Sequence, residues 1–533
     1  MPVRPPLTLA TTLPPAASNS RQDAARTPGT NATPAAHPAA HPAAWNLTGQ
    51  HVYMLGIGGS GMSGMARMLA ARGAIVRGSD PTPTDLTAAL SRDGIAVDHD
   101  QTRQWLPDAC DLVVASAAIK PDHPQMLEAV KRGIPHMTYA QALGKCMLGR
   151  TGVCIAGTHG KSTTTSMLSC ILSDAGLDPT AILGATCSQL SGSSSNTPQG
   201  FRLGTETINV GPLAGQPGLI LAESCEFNRS FHNYHPTIAA IMSVEADHLD
   251  IYGSLDAVVE SFAEFARQIA PASEGGMLLI AHDGAHRREI TAGLTCNIQT
   301  IGYHPDADWY VTYEAMTRRV TLTGPDKKIV ATWQMLMPGA HNAMNAATAA
   351  ALATHLGVSG PSIERSLSAF RGVDRRSQML GVYRKAEWKE GTGVVGVRVY
   401  DDYGHHPTEV ATTLKAMRQF DRPETRGGRL VCVFQPHQHS RTRHLLDEFA
   451  VSFDEADIVL VPHIYFVRDS QEEKQKVTAG DLVDRLRERG VHALHLYPFE
   501  AIVEHLQTIL KPEDLLVVMG AGPVNEVAHM LLK

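Results

Sequence analysis

The sequence lacks three features that would narrow its function at once: paired cysteine motifs, long apolar runs and an excess of basic residues. Its eight cysteines never form C-x-x-C, and most lie in apolar or helical stretches, as reduced thiols do. A membrane span needs about eighteen consecutive apolar residues, and no such run occurs. The net charge of -7 gives no reason to expect nucleic acid or an anionic membrane as a partner. These absences predict a cytoplasmic protein with neither kind of partner.

The proportions of hydrophobic and charged residues in this long chain are those of an ordinary globular protein. The 533 residues are 43% hydrophobic and 19% charged, and a chain of this length predicts about two to four domains. Residues 1–47 differ from the rest because Pro, Ala, Thr and Ser dominate them, and such a composition cannot form a core. We predict that 1–47 is a disordered tail. It also lacks the apolar core of a secretory signal.

A glycine-rich loop at 157–160 is the most informative stretch. It follows the short apolar run 153–156 and precedes Lys161 and Ser162, which begin a segment with apolar residues at helical spacing. A strand, a glycine-rich loop and a helix that starts with Lys-Ser form a cradle for phosphate groups, in which the hydroxyl can ligate Mg²⁺. Only two residues separate its glycines, whereas the common pattern has four. The candidate nucleotide contacts in this loop are Gly157, Thr158, His159, Gly160, Lys161, Ser162 and Thr163.

A second glycine motif lies earlier in the chain. Gly56, Gly58 and Gly61 fit G-x-G-x-x-G between a strand and a helix, and Asp80 closes the next strand at the distance of a ribose-binding acid. The motif predicts a pyrophosphate on the helix N-terminus, and both NAD and a UDP-sugar remain possible. Further βα units continue from it, so we predict one doubly wound unit over 48–147.

Acidic side chains follow two apolar strands of the next unit. Glu223 and Glu226 come after one strand, and Asp247, His248 and Asp250 come after the other. A Mg²⁺–ATP site places its carboxylates at the carboxyl ends of strands beside the phosphate loop. From spacing alone, His248 is either a metal ligand or a structural histidine.

Two amides and a third α/β unit complete the pattern. Asn342 and Asn345 precede an Ala-rich helix predicted at 346–356, where they either read an adenine edge or cap the helix. In the third unit, a strand runs into the polar block 401–409, and another strand precedes His437 and Arg441. Ligands are expected at these loops, between domains.

An ATP cradle with acids, a histidine and arginines permits three functions. ATP activates a carboxylate that an amine then attacks, or it phosphorylates a hydroxyl, or it only switches a binding module. A separate dinucleotide-like loop favours a large nucleotide-linked substrate, and the loop with His437 and Arg441 favours a carboxylated second substrate. Both features favour the amide ligase.

The sequence resembles the Mur ligases of peptidoglycan synthesis from about residue 49 to its C-terminus. Six blocks match in the same order, at 56–64, 157–165, 247–250, 339–345, 375–376 and 401–408. The family's GTHGKTTTT loop also has the short glycine spacing found here. The resemblance implies an α/β fold of three domains: a Rossmann-like UDP-sugar-binding domain at 48–147, a central P-loop ATPase domain at 148–372, and a C-terminal Rossmann-like domain at 373–533.

The resemblance also implies a reaction. ATP would activate the carboxylate of UDP-N-acetylmuramate as an acyl phosphate, which an amino acid then attacks, with ATP and Mg²⁺ as cofactors. The first glycine loop and block 401–408 favour the branch of the family that adds L-alanine over the one that recycles murein tripeptide. Residues 254–269 contain no lysine, whereas several sister ligases carry a carbamylated lysine there. The protein would act as a monomer or homodimer.

Residue roles are implied by the same resemblance. Lys161 would stabilise the transferring phosphoryl group, Ser162 and Glu226 would hold one Mg²⁺, and His248 a second. ATP would also contact Asn345, Arg376 and Asp402. The amino acid would contact Tyr403, His437 and Arg441, the last two of which also join Lys161, Glu226 and His248 as catalytic residues. The UDP-sugar would contact Gly56, Gly58, Gly59, Ser60, Gly61, Met62, Ser79, Asp80 and Ser116.

Three blocks depart from the family pattern. The block that usually reads EADESD has Cys225 and Asn228 in place of its aspartates, and FQPHRYSRT has become a block with Gln438 and His439. The usual RRF ends in Ser377. Glycine and L-serine therefore stand as alternatives to L-alanine. A catalytically degenerate module that only binds nucleotide is the rival from another class.

Overall fold

The computed structural model describes residues 44–190, 199–388, 396–467 and 469–533. Most of the predicted disordered tail, 1–47, lies outside these residues. Its predicted boundary is wrong at the C-terminal end, because Leu47 is fully buried in a core cluster and the ring of Trp45 lies 5.4 Å from the Lys145 ammonium. These two apolar side chains stand at the end of a segment whose average composition is that of a tail.

The first sheet is entirely parallel, with strand order β3-β2-β1-β4-β5. Its strands are β1 (His51–Leu55), β2 (Ile75–Ser79), β3 (Ala96–Asp98), β4 (Leu112–Ala115) and β5 (His136–Thr138). Its helices are α1 (Ser60–Ala71), α2 (Asp85–Arg92), α3 (Pro124–Lys131) and α4 (Tyr139–Met147). The order reverses between β1 and β4, and such a switch point at the carboxyl ends of the strands is where doubly wound sheets bind ligands.

The second sheet is mixed, with the order β15-β14-β13-β12-β11-β10-β6-β9-β7-β8. Its strands are β6 (Thr151–Ala156), β7 (Thr180–Cys187), β8 (Gln199–Arg202), β9 (Leu219–Ser224), β10 (Ile238–Ile241), β11 (Met277–Ala281), β12 (Asn297–Gly302), β13 (Trp309–Glu314), β14 (Arg319–Thr323) and β15 (Ile329–Gln334). Its helices are α5 (Lys161–Asp174), α6 (Leu249–Tyr252), α7 (Leu255–Ala266), α8 (Arg287–Thr291), α9 (Ala340–His355) and α10 (Gly360–Ala369).

The register of this sheet sets up the site. The end of β6 at Ala156 pairs with Ser224 of β9 on one side and with Ile241 of β10 on the other. Because all three strands are parallel, the loops that follow them meet at one edge. Helix α9 begins at Ala340, earlier than the predicted 346–356, so Asn342 and Asn345 lie within its first turns. Its alanine-rich surface is buried against the core.

The third sheet has the order β16-β17-β21-β18-β19-β20, and only β16 is antiparallel. Its strands are β16 (Gln378–Tyr383), β17 (Val397–Asp402), β18 (Leu430–Phe434), β19 (Ile458–Val461), β20 (His492–His495) and β21 (Leu515–Met519). Its helices are α11 (Pro407–Asp421), α12 (His439–His444), α13 (Leu446–Val451), α14 (Ala479–Glu488), α15 (Phe499–Ile509) and α16 (Asn525–Leu532). Short 3-10 helices lie at Ser188–Leu190, Phe227–Asn233, Ala272–Glu274, Pro423–Arg426 and Glu473–Gln475.

Helix α1 joins the first sheet to the second through a shared core. A Cβ on Gly64 of α1 would lie 2.8 Å from the Cβ of Phe201 in β8, so only glycine permits this close approach. Residues of both sheets belong to one buried cluster. The α/β fold class predicted from the sequence is confirmed. All eight cysteines are free and six are buried, as expected for reduced thiols. Within the described ranges, each helix is too short or too polar to cross a membrane.

Candidate active site

The phosphate loop connects β6 to α5 and is anchored to the end of β10. The backbone amides of Thr158 and His159 donate to the carbonyl and hydroxyl oxygens of Ser243, at 2.8 and 3.1 Å. Gly160 has φ +83°, and a Cβ there would lie 2.4 Å from the side-chain oxygen of Asn345. The sharp turn therefore needs glycine, and it directs the start of α5, with its unpaired N–H groups, toward the shared edge of the sheet.

Lys161 is a buried, fixed cation in this loop. Its ammonium donates to the carbonyls of Gly157 and Thr158 at 2.6 and 3.1 Å and lies 2.9 Å from a carboxylate oxygen of Glu226. Burial alone would lower the pKa of Lys161, but its ion pair and hydrogen bond with Glu226, together with the nearby Glu223, raise that pKa well above the ordinary value. The lysine therefore stays protonated beside the position where phosphate groups would lie.

The three predicted metal ligands line one pocket, together with Glu223 and Asp247. The hydroxyl of Ser162 donates to Glu223 at 2.8 Å, and the other carboxylate oxygen of Glu223 accepts from the amide of Gly184 at 2.8 Å. Glu226 and His248 lie instead with Asp247, so that one ligand atom of each is within 4.8 Å of the others. Asp247 therefore joins the candidate set, while Ser162 contacts a different acid.

Six predicted ATP contacts line one cavity of about 250 Å³ between the phosphate loop, α9 and the third sheet. They are His159, Gly160, Thr163, Asn345, Arg376 and Asp402. Asn342 donates its side-chain amide to the carbonyl of Pro338 at 2.8 Å, and its side-chain oxygen accepts from the side-chain amide of Asn345 at 3.4 Å. The side-chain oxygen of Asn345 points toward Gly160 of the phosphate loop. Neither residue caps α9, because its N-cap is Gly339 and no side chain caps it, so Asn345 remains the candidate for adenine.

Asp402 and Tyr403 shape the rim of this cavity from the third sheet. The buried carboxylate of Asp402 accepts hydrogen bonds from the amides of Ser377 and Gly404, both at 2.7 Å. The guanidinium groups of Arg375 and Arg376 each stack on the ring of Tyr403, at 5.1 and 5.0 Å. Asp402 thus fixes both the loop that carries the two arginines and the loop that carries Tyr403.

Arg441 extends from the third domain to the group formed by Glu226, Asp247 and His248, which we call the acidic cluster. Its guanidinium lies 2.9 Å from the carboxylate of Asp247 and 3.3 Å from Nδ1 of His437. Burial would raise the pKa of Asp247, but Arg441 and the neighbouring histidines His248, His405 and His406 together lower that pKa. The ring of His405 lies 5.8 Å from that of His437, and burial lowers the pKa of His405 to about 4.

The two substituted positions in the third domain, Gln438 and His439, are buried and support this loop. Gln438 is 2% exposed with φ +69°, and its backbone amide donates to the carbonyl of Tyr465 at 3.1 Å. The backbone amide of His439 donates to Asp469, which also accepts from the hydroxyl of Ser440 at 2.6 Å. In the acidic block, burial raises the pKa of the Cys225 thiol to about 12. It is therefore neutral where the family has an aspartate.

Several cavity residues were missed by the sequence analysis. Glu409 lies 3.1 Å from Nδ1 of His159 and accepts from the amide of His405 at 2.9 Å, and Glu245 also lines the cavity. Asp469 orders α12. The available signal for Glu409 was its position three residues after His406, in the pattern of a capping box.

The candidate UDP-sugar residues lie at the carboxyl ends of β1, β2 and β4. The amide of Gly58 donates to Asp80 at 2.9 Å, and the hydroxyl of Ser60 donates to the carbonyl of Gly184 in the second sheet at 3.3 Å. Asp80 therefore holds the glycine loop itself. Two of the predicted contacts have buried side chains: Met62 is 4% exposed within the core, and Ser79 is fully buried. The Ser79 hydroxyl donates to Gln125 at 2.7 Å because it points into the first domain.

Most of the chain matches known protein families. Residues 51–151 match the family model described as "Mur ligase family, catalytic domain", 155–353 match "Mur ligase middle domain", and 387–522 match "Mur ligase, glutamate ligase domain". The UDP-N-acetylmuramate–L-alanine ligase of Acetivibrio thermocellus is 34% identical over 91% of this chain and 96% of its own length. The ligase of the same name from Agathobacter rectalis is 36% identical over 91% of this chain and 98% of its own length.

Solved structures agree with these relatives. UDP-N-acetylmuramate-alanine ligase MurC from Thermotoga maritima superimposes with a TM-score of 0.68 at 23% identity, covering 90% of this chain and 98% of its own. The murein peptide ligase from Psychrobacter arcticus superimposes with a TM-score of 0.64 at 25% identity, covering 91% of this chain and 98% of its own. The resemblance inferred from the six sequence blocks is thus confirmed over all three sheets, and the chain belongs to the Mur ligase family.

Proposed function

We propose that this protein is an ATP-dependent ligase that joins L-alanine to the lactyl carboxylate of UDP-N-acetylmuramate, releasing ADP and phosphate. One observation carries the proposal: the phosphate loop, α9 and the third sheet enclose a single cavity, with Lys161 and the acidic cluster next to it. The relatives named for this reaction match 91% of the chain. Because ATP and a UDP-linked precursor are its substrates, the reaction belongs in the cytoplasm.

The reaction has two chemical steps. A carboxylate oxygen of the sugar substrate attacks the γ-phosphorus of ATP, the bond to the bridging oxygen breaks, and ADP leaves with its electrons. The amine of L-alanine then attacks the acyl carbon, loses a proton, and expels inorganic phosphate that keeps the carboxylate oxygen. Negative charge spreads over the phosphoryl oxygens in the first step and collects on one oxygen in the second, and fixed cations lower both barriers.

Lys161 and Arg376 supply the fixed charge on the nucleotide side. Lys161 is held by two loop carbonyls and Glu226, so it needs little reorganisation to meet a phosphoryl oxygen. Arg376 lies on the boundary between the nucleotide cavity and the pocket around Lys161. Stacking on Tyr403 keeps its planar group in place.

The donor set of the acidic cluster fits Mg²⁺. Glu226 and Asp247 offer carboxylate oxygens, which hard divalent cations prefer, and His248 completes the group. These three residues would hold the ion, which would supply charge neutralisation for the phosphate groups. His248 is the N-cap residue of α6, but its side chain does not cap that helix, and with φ +52° its backbone is held in a rarely used conformation.

Arg441 and His437 face the same acidic cluster from the third domain and are assigned to the amino acid. Arg441 is 8% exposed and already paired with Asp247. An incoming carboxylate would share this guanidinium, which has donors for two acceptors. Tyr403 lies beside His405 and forms the side of the pocket next to Arg376.

Phosphate release from ATP tests the function and names the amino acid. We expect release only when UDP-N-acetylmuramate and an amino acid are both present, with L-alanine fastest in a panel that includes glycine and L-serine. Lys161→Ala should abolish release and leave binding of the UDP-sugar intact, and Lys131→Ala, on an exposed face of α3, should change neither. Release with the sugar alone would indicate a kinase or hydrolase, and no release with any amino acid would indicate a binding module.

A further inference from the structure

Glu409 lies on the boundary between the nucleotide cavity and the pocket around Lys161, and the two chemical steps do not use it. It is the third residue of α11, and its side chain is only 15% exposed. A carboxylate beside a phosphate site would repel the substrate unless nearby cations offset its charge. The position of Glu409 therefore needs a physical reason, which its partners supply.

The two carboxylate oxygens of Glu409 have different partners. Oε2 accepts from the backbone amides of His405 and His406, at 2.9 and 3.3 Å, as part of the capping box of α11. Oε1 lies 3.1 Å from Nδ1 of His159 in the phosphate loop and 3.8 Å from the guanidinium of Arg376 in the third domain. One oxygen thus completes the start of the helix, and the other faces two basic side chains from two domains.

The surroundings of His159 favour its charged form at neutral pH. Burial would lower the pKa of His159, but Glu245, at 3.5 Å, and Glu409 together raise it to about 9. Two more titratable side chains face this ring: His406, whose ring lies 4.9 Å away, and His341 of α9. Burial lowers the pKa of each of them, so both are neutral at neutral pH and do not repel the charge on His159.

We propose that Glu409 is a positioning residue for ATP, whose single carboxylate holds the positive charges of His159 and Arg376 at the nucleotide cavity. Both basic side chains line that cavity, so the phosphate groups of a bound nucleotide would meet their charge. The remaining ionisable group at this carboxylate is His405, with Nδ1 at 3.5 Å, and burial keeps it neutral by lowering its pKa to about 4. The inference rests on the ATP site of the proposed function and gives Glu409 no contact with ATP itself.

Nucleotide binding by the full chain tests this role without turnover. Calorimetry measures the dissociation constant of a non-hydrolysable ATP analogue with Mg²⁺ at several pH values, for the wild type and Glu409→Gln. Glutamine keeps an oxygen that accepts from the amides of the helix cap and removes only the charge.

The expected result is a pH-dependent loss of affinity in Glu409→Gln. Without this charge the pKa of His159 falls toward its ordinary value of 6.5, and the ring is neutral at higher pH. Anionic nucleotide binds better to the protonated ring, so the ratio of the variant to the wild-type dissociation constant should rise about tenfold between about pH 6 and about pH 8. This ratio cancels the titration of the nucleotide itself.

Two control variants separate charge from structure. Glu409→Asp keeps the charge, so its ratio should not change with pH. Glu455→Gln removes a carboxylate near the far end of α11, 3.6 Å from Arg418, and should leave the affinity unchanged at every pH. Circular dichroism checks that each variant is folded. A ratio for folded Glu409→Gln that is constant with pH, or one that Glu455→Gln reproduces, would overturn the proposal.

His159→Gln gives a second test that does not depend on the folding of Glu409→Gln. The wild type should bind the analogue more tightly than His159→Gln by the same factor from about pH 6 to about pH 8, because its His159 stays protonated over this range. A difference that disappears by pH 8 would overturn the proposal. Because the analogue does not react, nucleotide binding without phosphate release from ATP would refute the ligase and leave the role of Glu409 standing.

Discussion

Replacement of Lys161 by methionine tests whether the buried ion pair with Glu226 stabilises the protein before any nucleotide binds. The two charges lie 2.9 Å apart, and their side chains are only 12% and 3% exposed. Methionine keeps the stem of the lysine and removes its charge, which leaves a buried, unpaired carboxylate. Breaking a buried pair in this way costs about 3–5 kcal/mol. For a domain of this size, that loss lowers the melting temperature by about 6 °C or more.

Calorimetry of three variants and the wild-type protein measures this effect. Lys131→Met breaks an ion pair with Glu128 that spans 3.6 Å and in which the lysine is 72% exposed, so it should cost less than about 1 kcal/mol. Lys161→Met combined with Glu226→Gln should recover most of the lost stability, because no unpaired charge remains. If Lys161→Met has the same melting temperature as Lys131→Met, or if the double variant is the least stable of the three, the reasoning about this ion pair is wrong.

Three further predictions concern other parts of the site. Burial lowers the pKa of His341 to about 4. Its neutral form therefore stabilises the fold fully above pH 6.5, and this contribution to the free energy of unfolding is lost as the pH falls through 4. In melting curves recorded at different pH values, His341→Asn should remove up to about 3 kcal/mol of this acid sensitivity. Gly64→Val would press on Phe201 and should cost about 1–3 kcal/mol and weaken UDP-sugar binding, measured by calorimetry. Arg441→Met should raise the KM for the amino acid at least about tenfold and change the KM for ATP less, because Arg441 is assigned to the amino-acid carboxylate and other residues line the nucleotide cavity; equal changes in both would contradict the assignment.

Local features of the site could be predicted from the sequence because short-range physics determines them. An apolar strand, two closely spaced glycines and Lys161-Ser162 dictate the phosphate loop wherever the rest of the chain lies. The parallel order of the strands then brings Glu226 and His248 to the same edge. The antiparallel extension β13–β15 and the early start of α9 depend on tertiary packing, and the sequence did not indicate them.

Contacts across domains could not be predicted in the same way. His159 and Glu409 are 250 positions apart, and they meet only because the third domain packs against the phosphate loop. The same packing places Arg441 on Asp247. For Ser79, the pattern correctly indicated the end of a strand but not the direction of the hydroxyl, which is set by the buried amide of Gln125. The sequence predicted which loops form the site, and domain packing determines which side chains pair within it.

The central claim is that a substrate carboxylate is activated by phosphoryl transfer before the amide forms. Its most direct test is isotope transfer from UDP-N-acetylmuramate labelled with ¹⁸O in the lactyl carboxylate, incubated with ATP, Mg²⁺ and L-alanine. Mass spectrometry of the products should find one ¹⁸O in each inorganic phosphate and the other in the new amide. Unlabelled phosphate, or phosphate formed without L-alanine at the same rate, would contradict the account.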